Sequence, residues 1–330
     1  MREFGYERAL DVPGAVALLG AAPDARFLGG GTNLVDLMKA GVERPSLLID
    51  LRELPLGEIE FSHDTGLRIG ATVTNSDLAA HPEVRRHYPA LAQAVLAGAS
   101  GQLRNMATVG GNLLQRTRCG YFTDLSKPCN KRSPGSGCPA LTGEHRNHAI
   151  LGASGHCVAT HPSDMAVALA AFDAVISYET ADGPGELTMD EFYRPVGDTP
   201  HIETALPPGA LITGVTLPPA PVAAHSRYRK VRERASYAFA IGSLAAALDV
   251  QDGVVREVRL AFGAVASRPW RARTAERALT GGPASAEAFA AAADAELAAA
   301  EALPQNGYKV PLTRNLIVAV LTGLTEEAAR

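Results

Sequence analysis

Cys119, Cys129, Cys138 and Cys157 are the four cysteines of this 330-residue chain, and all fall in one segment. The segment reads RTRCGYFTDLSKPCNKRSPGSGCPALTGEHRNHAILGASGHC. It is poor in large aliphatic residues and rich in Gly, Pro, Arg and Lys, so it cannot order itself by apolar burial. Four thiolates around one metal centre would order it. Thiols placed for packing alone would scatter through the core segments. The gaps between the cysteines are nine, eight and eighteen residues. Structural zinc is held by close hooks such as C-x2-C, and no hook of that kind occurs here. His145, His148, His156 and His161 lie nearby in sequence and would suit zinc, although surface or capping roles are the simpler reading of each. An iron–sulfur cluster is larger than one ion and takes thiolates from widely spaced loops. Structural cysteines without a ligand are the third reading.

Charge favours the cluster. Between Gln115 and Asn147 stand Arg116, Arg118, Lys127, Lys131, Arg132 and Arg146 against Asp124 and Glu144, an excess of four positive charges. That excess would offset the negative charge of four thiolates in a low-dielectric site. The amides of SPGSG are placed to donate to sulfur and so raise a reduction potential.

Two glycine-rich turns form the second chemical signal. Gly29-Gly30-Gly31-Thr32-Asn33 stands between a strand and a helix, and Thr108-Val109-Gly110-Gly111-Asn112 repeats its chemistry some eighty residues later. Glycine lets a backbone approach a ligand closely and take positive φ. Successive amides in such turns, with a helix following, can cradle phosphate. A pair of turns could hold both phosphates of a dinucleotide, or each could be a tight turn and no more. Neither G-x-G-x-x-G nor the P-loop pattern is present, and neither G-x-S-x-G nor H-E-x-x-H occurs.

The elements that must position these residues follow from periodicity and turn signals. Residues 11–20 read as a short helix with proline in its first turn. Arg26–Leu28 reads as a strand, LVDLMKAG as a helix ended by Gly41, and Ser46–Leu51 as a buried strand. From Leu67, LRIGATVT alternates like a strand and leads into NSDLAAHPEVRRHYPALAQAVLAG, helical but broken by its prolines. Ser163 caps a helix reaching Ala171. DAVISYET and GELTM read as strands, and the Pro-rich stretch from Pro195 to Pro221 as a linker. Beyond it, two or three strands and then helices, including an Ala-rich run from Ser285 to Leu303, suggest an α+β layer.

Bulk properties are those of an ordinary globular protein, with 46% hydrophobic and 20% charged residues. A net charge of -4 gives no polycationic character for nucleic acid. No apolar run is long enough to span a bilayer. The stretch MREFGYERALDVPGAVALLG carries acids and does not read as a secretory signal. The expected compartment is cytoplasmic, or periplasmic if a signal-bearing partner exports the chain with it.

FLGGGTNLVDLMK, QLRNMATVGGNLLQR, HPSDMAVAL and YRKVRERASYAFAIGSLAAAL occur in that order. The series resembles the FAD-binding medium subunit of the xanthine oxidase family of molybdenum hydroxylases, over essentially the whole chain. KPCNKRSPGSGC and GHCVATHPSD resemble a narrower branch, the flavin subunits of periplasmic aldehyde oxidoreductases, which carry an additional [4Fe–4S] cluster. The resemblance implies an α+β fold: a two-subdomain FAD-binding domain of the PCMH/VAO-like type, and a C-terminal α+β domain like that of CO dehydrogenase flavoproteins. The expected divisions are 1–58, 59–221 with an iron–sulfur loop at 115–158, and 222–330. It also implies that Gly29, Gly30, Gly31, Thr32, Asn33, Leu34, Thr108, Gly110, Gly111 and Asn112 hold the FAD diphosphate. Asp164 would contact the ribose or adenine side, and Lys230 the isoalloxazine or ribityl part, with Arg232 and Tyr237 near the same edge. The four cysteines would hold the cluster.

The expected function is electron transfer from the [2Fe–2S] clusters of a small subunit, through FAD, to an external acceptor. A molybdopterin-binding large subunit would oxidise aldehyde to carboxylate. No side chain here need act as a base or nucleophile. Flavin subunits of this kind do not contact substrate, so a xanthine or aromatic acyl-CoA system also fits, as does a zinc-stabilised binding module. Cys119 follows the second turn by seven residues and Cys157 shortly precedes HPSD, so the cluster is expected within electron-tunnelling reach of FAD.

Overall fold

A computed structural model describes residues 1–328. The chain builds three sheets. β1 (Gly5–Arg8), β2 (Arg26–Leu28) and β3 (Leu47–Asp50) form a parallel sheet in the order β1-β3-β2. Helices Val12–Ala21 and Leu34–Lys39 lie between consecutive strands of this unit. Asp11 caps the first by accepting from the Gly14 amide. β1 was not expected from sequence; its four residues are all exposed, so they carry no alternation to read.

β4 (Ile59–Ser62), β5 (Gly66–Gly70), β6 (Val175–Thr180), β7 (Gly183–Thr188) and β8 (Leu211–Leu217) form the second sheet in the order β4-β5-β8-β6-β7. β8 lies inside the Pro-rich stretch expected to be a linker. Instead it is a central strand, with Val215 and Leu217 fully buried. Its prolines flank the strand without interrupting it, as the need for ladder amides requires. Helices Asn75–Ala80, Pro82–His87 and Pro89–Ala97 pack on one another and share a core with this sheet, two of them opened by the prolines that break the sequence pattern.

β9 (Ser226–Val231), β10 (Gly242–Gln251), β11 (Val254–Gly263) and β12 (Trp270–Arg271) form an antiparallel sheet, one strand more than expected. β10 shows why SLAAALDV is a strand despite its helix-favouring alanines. Ala245 and Ala247 face the core around helices Pro89–Ala97 and Asp164–Ala171. Leu244, Ala246 and Leu248 face the C-terminal helices on the other side. Period two divides the side chains between two cores, and burial on both faces outweighs intrinsic propensity. Helices Arg273–Leu279, Ala286–Leu297 and Lys309–Ala328 close the second core. Among the described residues, no helix is long and apolar enough to cross a membrane.

The cysteine segment has little regular structure, and the C-terminal helices clamp its far end. The Gln305 amide donates to His145 Nε2, and Asn306 Nδ2 donates to the carbonyls of His148 and Ala149. Fully buried Lys309 donates to the carbonyls of Asn147 (2.9 Å) and Ala264 (2.8 Å). Burial lowers its pKa to about 7. A lysine depressed on folding binds fewer protons in the native state than in the unfolded chain. Stability therefore rises with pH between about 7 and the ordinary lysine value, by up to about 1.4 kcal/mol per pH unit. Melting temperatures measured across that window should climb in the native chain, and the climb should flatten in Lys309→Met.

Candidate cofactor site: two glycine turns and a cysteine centre

The two glycine turns press against each other. A Cβ on Gly30 would lie 1.6 Å from the Met106 carbonyl oxygen, and one on Gly29 would lie 2.6 Å from Thr108 Oγ1. Only glycine permits that approach. Gly31 has φ +72°, which lets the chain turn into helix Leu34–Lys39. In the second turn Thr108 Oγ1 accepts from the Gly111 amide, opening the short helix Val109–Leu113. Asn33 Oδ1 accepts from the Arg116 amide at 2.9 Å, and Asn112 Oδ1 accepts from Ser163 Oγ at 2.6 Å. Hydrogen bonds thus join the motif segments, which are far apart in sequence.

Beside them opens a cavity of about 1070 Å³, at the top of the range for small-molecule sites and roomy enough for a dinucleotide. Thr32, Asn33, Gly111, Asn112, Asp164 and Lys230 line it. The other diphosphate candidates, Gly29, Gly30, Gly31, Leu34, Thr108 and Gly110, lie in the turns without lining it. Tyr237 lines the cavity. Arg232 does not, and donates to the Ala97 carbonyl. Sequence reasoning missed Arg118, Asn75, Gln115 and His148 on the same walls. For Arg118 and His148 the sequence held a signal, since both stand in the cysteine segment, but nothing there showed which way they face.

Several wall residues keep polar atoms that need a partner. Asn33 Nδ2, Asn75 Oδ1, Arg118 Nε and His148 Nδ1 are buried without a hydrogen bond to protein. Buried polar atoms are ordinarily paired, and these four are sealed from the open cavity as well as from protein partners. Arg118 also lies over the Phe239 ring at 4.9 Å. Burial lowers its pKa while Asp36 acts the other way.

Asp164 and Lys230 form one unit in the wall. Lys230 Nζ donates to Asp164 Oδ2 at 2.7 Å and to the Ala97 carbonyl, and Tyr228 donates to Asp164 Oδ1. Burial raises the Asp164 pKa against the opposing pull of Lys230. The pair sits where Ser163 caps helix Asp164–Ala171 by accepting from the Ala166 amide.

All four cysteines line a second, small cavity, with Phe122, Pro128, Pro139 and Ala140 among its walls. None forms a disulfide. The Ala159 amide donates to Cys157 Sγ at 3.5 Å. Burial raises the Cys119 pKa. The neighbouring Cys157 thiol lowers the Cys138 pKa, and Cys138 in turn raises that of Cys157. Soft thiolates with an amide donor and apolar walls are the chemistry an iron–sulfur cluster takes. Among the described residues, no group of three or more His, Cys, Asp or Glu side chains could hold a metal ion. At about 10 Å³ the cavity admits roughly one water. Seating a cluster requires a wall to yield, and the loop between Cys129 and Cys138, exposed over residues 133–136, is the least confined.

Two expectations change here. The SPGSG amides serve their own loop: Gly137 donates to Asn130 Oδ1, Ser136 to the Ser133 carbonyl, and Ser136 Oγ accepts from the Cys129 amide. A donor to sulfur comes instead from Ala159, two residues after Cys157. Much of the excess positive charge is also paired. Arg116 bridges Glu43 and Glu203, Lys131 reaches Glu203, and Arg146 reaches Glu233. Lys131 lines the small cavity and pulls the Cys157 pKa down even while paired with Glu203.

The histidines divide by role. His145 Nδ1 meets the Ala140 carbonyl, and His161 Nδ1 accepts from the Ser163 amide. His156 contributes its carbonyl to Asn130. His148 alone of the four places a ring nitrogen on a cysteine, with Nε2 3.2 Å from Cys119 Sγ. Burial, with Lys309 adding to it, lowers its pKa to about 4. Cys119 and Tyr121 line both cavities and are their common wall.

A family profile described as "FAD binding domain in molybdopterin dehydrogenase" matches residues 2–220, and one described as "CO dehydrogenase flavoprotein C-terminal domain" matches residues 226–324. The chain is 51% identical to the aldehyde oxidoreductase FAD-binding subunit PaoB of Escherichia coli (strain K12), over 99% of this chain and 100% of that one. It is 26% identical to a xanthine dehydrogenase FAD-binding subunit, named as putative, of the same organism, over 88% and 84% of the two chains. Among solved structures it resembles carbon monoxide dehydrogenase from Hydrogenophaga pseudoflava, with TM-score 0.75, 26% identity and 97% and 96% coverage. Quinoline 2-oxidoreductase from Pseudomonas putida 86 matches with TM-score 0.77, 23% identity and 100% and 99% coverage, a likeness of fold.

Proposed function

Because the chain belongs to the family of FAD-binding subunits of molybdopterin dehydrogenases, we propose that it is the FAD- and [4Fe–4S]-binding electron-transfer subunit of a molybdenum-containing aldehyde oxidoreductase. The observation that carries this reading is the common wall: one cysteine of the four borders both the small sulfur-lined cavity and the large one. When bound, FAD and the cluster supply electron storage and transfer, and the protein supplies position and electrostatics.

Thr32, Asn33, Gly111 and Asn112 would hold the diphosphate beside the joined turns. Asp164 and Lys230, already paired, present a neutralised polar wall to the ribose and ribityl parts. Cys119, Cys129, Cys138 and Cys157 would ligate the cluster, and the Ala159 amide would stabilise the Cys157 sulfur. A molybdopterin-binding large subunit and a [2Fe–2S] small subunit are the partners, with an external acceptor taking the electrons. The chain works in the cytoplasm, or in the periplasm when a signal-bearing partner carries it there.

The test is anaerobic addition of substrate to the complex purified with its native partners. An aldehyde should bleach the flavin absorbance. Xanthine bleaching it while aldehydes leave it untouched would overturn the substrate class.

A further inference from the structure

We propose that His148 is the positioning residue at the wall between the cysteine centre and the flavin cavity, donating Nε2–H to the Cys119 sulfur. This rests on the cluster-and-FAD reading above.

His148 Nε2 lies 3.2 Å from Cys119 Sγ, and His148 lines the large cavity. In a neutral imidazole one ring nitrogen donates and the other accepts. A ligating thiolate is an acceptor, so the ring proton belongs on Nε2. Nδ1 is then a buried lone pair, and it has no hydrogen-bond partner in the protein. The residue is held on both sides: its amide donates to the His145 carbonyl and its carbonyl accepts from Asn306. One rigid ring therefore touches a cluster ligand from a residue that also walls the flavin cavity. Donation to a ligand sulfur stabilises the reduced, more negative cluster and raises its potential. His148 thus acts through Cys119 and sets how readily the cluster holds an electron beside FAD.

The experiment compares wild type, His148→Phe and His148→Gln in the complex purified with its partners. Iron, sulfide and FAD are counted first in this chain resolved from its partners, and the cluster is then titrated in the complex by electron paramagnetic resonance. The phenylalanine variant should keep its iron and FAD while the one-electron equilibrium shifts about tenfold towards the oxidised form, a fall of about 59 mV. Glutamine, which retains an N–H donor, should recover most of that shift. An unchanged potential in His148→Phe overturns the proposal. Loss of iron from both variants also overturns it, by making His148 a ligand. A wild-type chain without iron removes the underlying reading instead and is seen before any titration. Should the phenylalanine variant misassemble, wild type labelled with ¹⁵N-histidine decides: pulsed resonance on the reduced cluster should show a histidine nitrogen coupling, and its absence overturns the proposal.

Discussion

Replacing Cys138 by alanine should empty the chain of iron and leave its flavin in place. Cys138 lines the small cavity with the other three thiols, and the neighbouring Cys157 lowers its pKa. Removing it takes away one of the four ligands. Changes even to groups around a metal's ligands cost about 10–100-fold in affinity, so loss of a ligand should leave less than about a tenth of the iron. The loop also loses what orders it, and should become sensitive to proteolysis between Cys129 and Cys138. FAD should stay. Cys138 does not line the large cavity, and the bonds joining the glycine turns run through Asn33, Thr108 and Asn112. Separate sites of this kind change one another by about 0.5 kcal/mol or less, about twofold in affinity. Iron analysis with FAD titration of Cys138→Ala measures both halves. Full iron content would refute the ligand assignment.

Gly30→Ala should do the reverse, losing FAD while the cysteine centre keeps its iron. The added methyl group would fall on the Met106 carbonyl, with the carbonyl carbon 2.3 Å and the Ala107 amide nitrogen 2.9 Å away. These are backbone atoms and cannot rotate aside, so the turns must separate. Overpacking of this kind costs about 1–3 kcal/mol and occasionally more. If that cost falls on the arrangement that receives the cofactor, FAD affinity drops by roughly 10–100-fold. Gly20→Ala is the control, since its Cβ meets nothing within 4 Å. FAD retention equal to wild type in Gly30→Ala would show that the close approach of the turns has no part in binding.

What the sequence made legible follows from which physical signals are local. Helix Val12–Ala21 announced itself through an early proline, and the broken helices after Asn75 through theirs. β8 did not, because neighbouring prolines read as linker until the strand is seen between β5 and β6. The glycine turns were visible as types, but their contact is a property of the fold: no spacing rule brings Gly30 onto Met106. The clustering of cysteines in sequence pointed to a shared centre; all four line one small cavity, but among the described residues no three of them stand together as metal ligands. The charge argument was weaker than it looked, because Glu43 and Glu203, distant in sequence, neutralise Arg116 and Lys131. In the sequence His148 stands beside three other histidines with nothing to separate them. Only the approach of its ring to Cys119 does so.

The central claim is that a sulfur-ligated iron cluster and FAD share one chain and one wall. Its most direct test is the iron, acid-labile sulfide and FAD content of this chain, resolved from its copurifying subunits without exposure to oxygen. The account predicts about four iron, four sulfide and one FAD per chain, with a broad charge-transfer background beneath the flavin bands. A flavin spectrum with no sulfide, or zinc in place of iron, would contradict it.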